Sequence, residues 1–348
     1  MSVCPGLIMR ITRFFLPLLA FVGPAIPTLA AQDIPPIKAD TVPTYHVYPN
    51  LVQTEVVVLS QDKKPMPPIP ESRFFVSLDG GPRFRVTHAR LEGADPISLA
   101  ILLDLNQPSP SWLKNIDDAI ASLVPLSLTP RDQVSIYSLD CQLISPASPV
   151  PAKPATLKRA VDEALQSWTS RGQKPLANCR EPSHLRDSLM AITQTLQQQP
   201  GHRVILVISD GSDRGNMDSW NSLRLGAQSS GVAIFCLTDF YSRNYFNPVW
   251  EQTGGMILTA SRRTLATRLE WFTTILRGRY IVEFPRAVTT TAAYHRMDIT
   301  IDKTDAFVRP SGILVPIDDP AILNDPMTLH PDPSHAPKFG RPKPPSSH

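Results

Sequence analysis

The chain has 348 residues, 42% of them hydrophobic, which suits one large globular domain or two smaller ones. Its formal net charge of +3 is spread along the sequence and forms no basic stripe of the kind that binds nucleic acid or an anionic membrane. We therefore expect no nucleic-acid partner. Many of the 37 prolines fall at 65–70, 146–154 and 316–345, where they interrupt regular structure.

The N-terminus has the pattern of an export signal. Two arginines precede an apolar stretch at 14–23, and Thr28-Leu29-Ala30 suits cleavage before Ala31. The stretch is too short for a permanent bilayer anchor. Residues 1–30 are thus predicted to be a signal peptide, and the mature protein to be periplasmic or secreted without stable membrane insertion. The alternative, a buried N-terminal helix, is disfavoured by the prolines in this segment.

Three cysteines remain after the signal peptide, and exported proteins can keep disulfides. Cys236 lies in the apolar run VAIFCL and is expected to be a buried free thiol. Cys141 and Cys179 lie in loop-like surroundings, so they are either bridged, which we slightly favour, or unrelated thiols. The spacings do not fit a zinc site.

Residues 45–92 have the alternation of β-strands and form a predicted small β segment. Within it, Asp79-Gly80-Gly81 is a hairpin-type turn. From Ser98 onward, short apolar runs alternate with segments of helical period. This pattern is typical of an α/β domain, here 95–278, with a doubly wound, mostly parallel, Rossmann-like sheet.

The helical segments show apolar stripes that predict which face is buried. Ser109 is a predicted N-cap, Pro125 a predicted helix end, and Ser183 the predicted start of a later helix. Further helices are expected from about Asp218 to Gln228 and from Thr264 to Arg277. The stripes run through Leu157, Val161, Ala164, Leu165, Trp168, and then Leu185, Leu189, Ile192 and Leu196.

Residues 279–316 return to β alternation and are predicted to join the N-terminal β segment, because the two ends of a compact α/β unit usually lie close together. The segment 317–348 is rich in Pro, His, Asp and Ser. With little to bury, it is predicted to be a disordered tail.

Two apolar runs end in an acid: SLAILLD ends at Asp104 and HRVILVISD at Asp210. As adjacent parallel strands they would bring both carboxylates to the crevice where such sheets bind ligands. Carboxylate, hydroxyl and amide oxygens are suitable ligands for a hard divalent cation.

With these residues the chain resembles the von Willebrand factor type A domain, in particular the exported A-domain-related proteins of acidobacteria. The resemblance covers roughly residues 95–278 and extends to the flanking β segments. It implies a sheet order of 3-2-1-4-5-6 with one antiparallel edge strand. It also implies a metal-ion-dependent adhesion site built from Asp-x-Ser-x-Ser after the first strand, a Thr opening a later helix, and an Asp after the fourth strand.

Carried onto this sequence, the resemblance implies metal ligands at Asp104, Asn106, Ser183 and Asp210 for Mg²⁺, or for Mn²⁺ or Ca²⁺. Asn106 stands at the first serine position and offers an amide oxygen, whereas Pro108 stands at the second and offers no side-chain ligand. The site is therefore degenerate. The alternative is structural: solvated acids near helix N-termini, Ser183 as an N-cap and Asn106 as a turn residue.

Of three possible functions, the sequence favours the first, which is not enzymatic, and the other two are alternatives. The first is a non-enzymatic, adhesion-type module that binds an unknown protein or extracellular ligand through the loops at the carboxyl ends of the strands. The second is a metal-dependent hydrolase that uses the same acids, although the sequence has no nucleophile elbow, Walker loop or His-Glu-x-x-His motif. The third is a structural cell-envelope component that makes its contacts through the β segments and the tail.

Overall fold

The computed structural model describes residues 51–105, 116–126, 128–172, 184–209, 219–239, 249–261, 263–285 and 296–309. All belong to one compact unit, Tyr45–His348. The predicted signal peptide and tail lie outside the described residues, as do Ser109, Cys179 and, in the last β segment, residues 286–295 and 310–316.

Fourteen strands are described. They are β1 Leu51–Leu59, β2 Phe74–Leu78, β3 Phe84–Arg85, β4 His88–Leu91, β5 Ile97–Asp104, β6 Gln133–Leu139, β7 Leu143–Ile144, β8 Val150–Pro151, β9 His202–Ile208, β10 Val232–Thr238, β11 Ile257–Thr259, β12 Tyr280–Pro285, β13 Met297–Ile301 and β14 Phe307–Arg309.

Seven α-helices are described alongside them. They are α1 Ile116–Ala121, α2 Leu123–Leu126, α3 Pro154–Ser170, α4 Leu185–Gln197, α5 Trp220–Ser229, α6 Val249–Gln252 and α7 Leu265–Arg277. None of these helices has both the length and the apolar character needed to span a bilayer.

The central sheet has the order β11-β10-β9-β5-β6-β7, with the short strand β8 also paired to β6. Strands β5, β6, β9, β10 and β11 are parallel, and β7 is an antiparallel edge strand. Numbered along the chain without β8, this order is 3-2-1-4-5-6. The predicted doubly wound, mostly parallel fold and its antiparallel edge are confirmed.

Helices cover both faces of this sheet, as its buried, mostly apolar strands require. On one face, α3 and α7 pack over a core that includes Leu103, Ile208 and Phe235. On the other, α4 and α5 pack over Leu102, Val207 and Cys236. The predicted stripes are largely confirmed: Leu157, Val161, Leu165, Trp168, Leu185, Leu189, Ile192 and Leu196 are all buried.

Two smaller sheets flank the central one. Strand β12 lies between β1 and β4, and β14 pairs with the other edge of β1. Strand β13 pairs with β2, which pairs with β3 across the predicted turn. Asp79 and Gly80 both have positive φ, 52° and 72°, which is the twist that a tight hairpin turn requires.

Three helix boundaries differ from the predictions. Pro125 lies inside α2, a single turn that follows a break after α1, so this proline does not end the helix. A proline is tolerated there because the amide hydrogens of a first turn have no intrahelical acceptor. Helix α5 begins at Trp220, since Ser219 caps it by accepting from the Ser222 amide, and α4 has His184 as its N-cap residue.

Candidate functional site

The register of the central sheet places one row of residues across its carboxyl edge. Leu103 pairs with Ile208, which pairs with Leu237, so the next row contains Asp104, Ser209 and Thr238. Residues in one row of a parallel sheet point to the same face. This face carries α4 and α5, because Leu102, two residues before Asp104, packs in their core.

Asp104 ends a strand of eight buried residues and is itself only 1% exposed. A buried carboxylate requires hydrogen-bond donors or a cation. Ser209 Oγ donates to Asp104 Oδ2 at 2.6 Å, and Ser209 is fully buried. The last residue of β5 and the residue that follows β9 thus form a buried polar pair at the predicted crevice.

Thr238 adds a second hydroxyl to the same row. It ends β10, it is fully buried, and its Oγ1 has no hydrogen-bond partner within the part of the chain that the structure describes. A buried hydroxyl without a partner is uncommon in proteins. Because Ser209 lies between them in the row, the edge carries a run of oxygen atoms from Asp104 to Thr238.

Cys236 lies two residues before Thr238 and is a free, buried thiol, as predicted. Burial raises the pKa of this thiol well above its ordinary value of 9.0, and the negative charge of Asp104 raises it further. The thiol therefore remains protonated and packs as an apolar group, and it offers no thiolate to a metal.

An ion pair lies next to the row, after strand β6. Arg171, at the end of α3, donates through Nη2 to Asp140 Oδ2, and Asp140 is 6% exposed. The adjacent Cys141 is disulfide-bonded. Since Cys236 is free, its partner is Cys4 or Cys179, both outside the described residues; the pairing with Cys179 stays a prediction.

Of the predicted metal ligands, only Asp104 is described. Asn106, Ser183 and Asp210 lie outside the described residues, although Ser209 and His184 are their chain neighbours. No group of three or more His, Cys, Asp or Glu side chains that could hold a metal occurs among the residues described.

The oxygen atoms of the described residues in this row are nevertheless of the type that binds a hard divalent cation. Asp104 supplies carboxylate oxygens, and Ser209 and Thr238 supply hydroxyl oxygens, one of them without a hydrogen-bond partner among the described residues. Oxygen ligands suit Mg²⁺, Mn²⁺ and Ca²⁺, whereas Cys236, two residues before Thr238, is a protonated thiol.

Ser209 and Thr238 are the residues that the sequence analysis did not select. The signal for them was weak: each hydroxyl residue directly follows a run of five or six apolar residues, in VILVIS and VAIFCLT. Only the register shows that these hydroxyls share a row with Asp104.

A separate pocket of about 910 Å³ lies in the flanking β region. Residues of β13 and β14 line it, including Asp298, Phe307 and Arg309, together with Gln61. None of its lining residues belongs to the row at the carboxyl edge, so this pocket is distinct from the candidate site.

Neither a protein-family model nor a curated protein sequence matches this chain. Solved structures are similar to parts of it. Proximal thread matrix protein 1 from the mussel byssus has 13% identity and a TM-score of 0.40 over 57% of this chain and 50% of that chain. Its form with a zinc-occupied MIDAS motif has 15% identity and a TM-score of 0.41 over 57% and 49%.

An aerotolerance-related membrane protein from Bacteroides fragilis NCTC 9343, with multiple mutations to serines, has 13% identity and a TM-score of 0.37. That match covers 51% of this chain and 98% of the other. The chain spans about half the length of the mussel protein it matches. The assignment of the fold rests on the strand order and register described above.

Proposed function

We propose that this chain is an exported, non-enzymatic binding module of the von Willebrand factor A type. It engages a protein or another extracellular ligand through the loops that leave the carboxyl ends of the central strands. The observation that carries the proposal is the buried carboxylate of Asp104, which accepts a hydrogen bond from Ser209 at that edge.

The topology supports this choice of surface. The chain order of the strands reverses direction at β5, which lies between β6 and β9. In open α/β sheets, the crevice beside such a point is the usual ligand site. Asp104 ends β5 and Ser209 follows β9, so the polar pair lies at this switch point.

The proposal assigns Asp104, Asn106, Ser183 and Asp210 as the residues that hold a divalent cation. Pro108 offers no ligand, so we expect affinity below that of a site with the full set of donors. A bound cation would supply a Lewis-acidic position for a carboxylate of the partner. Within the chain itself, Ser209 orients the carboxylate of Asp104.

The experiment that tests the function is capture of partners from a cell-envelope extract on the immobilised mature chain. The Asp104→Asn variant removes the negative charge at the edge, whereas Asp162→Asn removes an exposed charge on α3 and is the matched control. We expect one set of proteins to be retained by the wild type and the control, and to be lost with Asp104→Asn and with a chelator.

Retention of the same proteins by Asp104→Asn would place the binding surface elsewhere. Turnover in a hydrolase screen that Asp104→Ala abolishes would overturn the non-enzymatic assignment and favour the hydrolase.

A further inference from the structure

A second cluster of charged side chains lies at the opposite edge of the central sheet, where the parallel strands begin. His202 is the first residue of β9, and its amide donates to the carbonyl of Pro96, just before β5. Strand β1 of the flanking sheet contributes Glu55 to this cluster. The cluster therefore joins the flanking sheet to the central one.

The imidazole of His202 faces a carboxylate with each of its nitrogens. Nδ1 lies 2.7 Å from Oε1 of Glu55, and Nε2 lies 3.3 Å from Oδ2 of Asp95. The side chain is only 12% exposed. A neutral imidazole has a single N–H, so one carboxylate would face a lone pair, whereas the imidazolium donates to both.

Among the carboxylates and guanidinium groups that form the ion pairs at this cluster, the charges balance when His202 is protonated. Three carboxylates, Glu55, Glu92 and Asp95, meet two guanidinium groups, those of Arg90 and Arg279. The Glu92 and Arg279 side chains are fully buried and form a two-point ion pair at 2.7 and 2.9 Å. The proton on His202 supplies the third positive charge, and an uncompensated buried charge is costly.

Two further arginines lie at this edge, and each donates to other acceptors. Arg277, at the end of α7, donates to the carboxylate of Asp132. Arg203, the next residue in β9, donates to the carbonyl oxygens of Gln199 and Ser230. The charges that act on His202 are those of Glu55, Glu92 and Arg279, and its Nε2 also contacts the carboxylate of Asp95.

The pKa shifts of these groups agree with this geometry. Burial acts to lower the pKa of His202, but the hydrogen bond to Glu55 and the charges of Glu92 and Glu55 outweigh it and raise the pKa. Burial acts to raise the pKa of Glu55, but the hydrogen bond from His202 and the charge of Arg279 outweigh it and lower the pKa. The hydrogen bond from Arg90 lowers the pKa of Asp95, with a further contribution from His202.

We propose that His202 is a proton-operated latch that holds β1 of the flanking sheet against the amino-terminal edge of the central sheet. Protonated His202 bridges Glu55 and Asp95. Loss of the proton breaks the bridge to one of them and leaves the cluster with an excess negative charge, which loosens this junction.

The direction of the pH dependence follows from the shifts. A histidine whose folded-state pKa is raised contributes stability that is fully present below its ordinary value of 6.5 and is lost as the pH rises through the folded-state value. Glu55, whose pKa is lowered, contributes stability that is present above its ordinary value of 4.5 and is lost as the pH falls below it. The latch is thus closed in mildly acidic solution and opens as the pH rises through the folded-state pKa of His202.

The test combines NMR titration of His202 with thermal unfolding of the full mature chain between pH 6 and pH 9. We expect His202 to titrate above 6.5, and its pKa to fall in Glu55→Gln. We expect the wild-type Tm to fall by a few degrees across this range. That fall should shrink in His202→Gln and in Glu55→Gln, whereas a merely structural role would lower the Tm equally at every pH.

The control is His88→Gln, because His88 is 63% exposed and lies 3.7 Å from the carboxylate of Glu71. This variant should keep the pH dependence of the wild type. If His202→Gln does not fold, the NMR titration of His202 in the wild type and the pH dependence of the Tm of Glu55→Gln still test the proposal. A His202 pKa at or below 6.5, or the same pH dependence in Glu55→Gln as in His88→Gln, would overturn the proposal.

Discussion

At the scale of single residues, the buried pair of Asp104 and Ser209 is the feature on which the candidate site depends. The carboxylate ends a strand whose other residues are all buried, so its hydration is lost on folding. The hydroxyl of Ser209 replaces part of that hydration at 2.6 Å. Hydrogen bonds to charged groups are stronger than those between neutral groups, which gives Ser209 a measurable contribution to stability.

We predict that Ser209→Ala lowers the free energy of unfolding by about 1–3 kcal/mol, because it removes a donor from a buried carboxylate. Urea denaturation at neutral pH measures the loss. Ser167→Ala is the control, since Ser167 is exposed on α3 and alanine is a better helix former. Equal stability of the two variants would show that the hydrogen bond contributes nothing.

The sequence predicted the acid at this site but not its neighbours in the row. Asp104 was visible because a charged residue at the end of SLAILLD contradicts the apolar pattern. Ser209 and Thr238 follow equally apolar runs, but a hydroxyl residue there is also an ordinary strand end. Their alignment with Asp104 depends on the pairing register, which packing against α4 and α5 sets and which no single segment encodes.

At the scale of elements, the connection between α4 and β9 constrains the start of the central sheet. Gly201 has a φ of +76°, and a Cβ added to it would lie 2.4 Å from the carbonyl oxygen of Pro96. Glycine thus permits both the left-handed backbone and the close approach to the chain that leads into β5. It also places His202 where its amide donates to that same carbonyl.

We predict that Gly201→Ala destabilises the protein more than Gly172→Ala. Both glycines have positive φ, so each alanine incurs a backbone penalty of about 1–2 kcal/mol. Among the residues that the structure describes, no atom lies within 4 Å of a Cβ added to Gly172, whereas at Gly201 backbone atoms must move. Thermal unfolding of both variants tests this, and a Gly172→Ala variant as unstable as Gly201→Ala would contradict it.

The elements with strong apolar periodicity were the ones that the sequence predicted well. Helices α3 and α4 largely bury the predicted stripes, and the two acid-ending strands are adjacent and parallel. Proline was the less dependable signal, since Pro125 lies within α2. Whether a proline ends a helix depends on its distance from the first turn, which the pattern around residues 116–126 did not specify.

At the scale of the whole molecule, β1 contributes to two cores. Its side chains alternate, so that Val56 and Val58 pack in the flanking sheets while Val57 and Leu59 pack in the central α/β core. In the sequence, the change from β alternation to an α/β pattern predicts a domain boundary near residue 95. That pattern does not show that the alternate residues of β1 enter the α/β core.

We predict that a fragment limited to 95–278 is less stable than one covering 45–309. The shorter fragment loses Val57 and Leu59, whose burial is worth about 1.5–3 kcal/mol each. It also loses Glu55, the partner of His202. Thermal unfolding of the two purified fragments measures the difference, and an equal Tm would show that the α/β core closes without β1.

The central claim is that the functional surface lies at the edge marked by Asp104. The most direct measurement is a calorimetric titration of the mature chain with Mg²⁺ and Mn²⁺, with Asp104→Ala/Asp210→Ala as the test variant and Asp162→Asn as the control. We predict that the wild type and the control bind the cation weakly and saturably, and that the double variant does not bind it. Equal heats for the wild type and the double variant would contradict it.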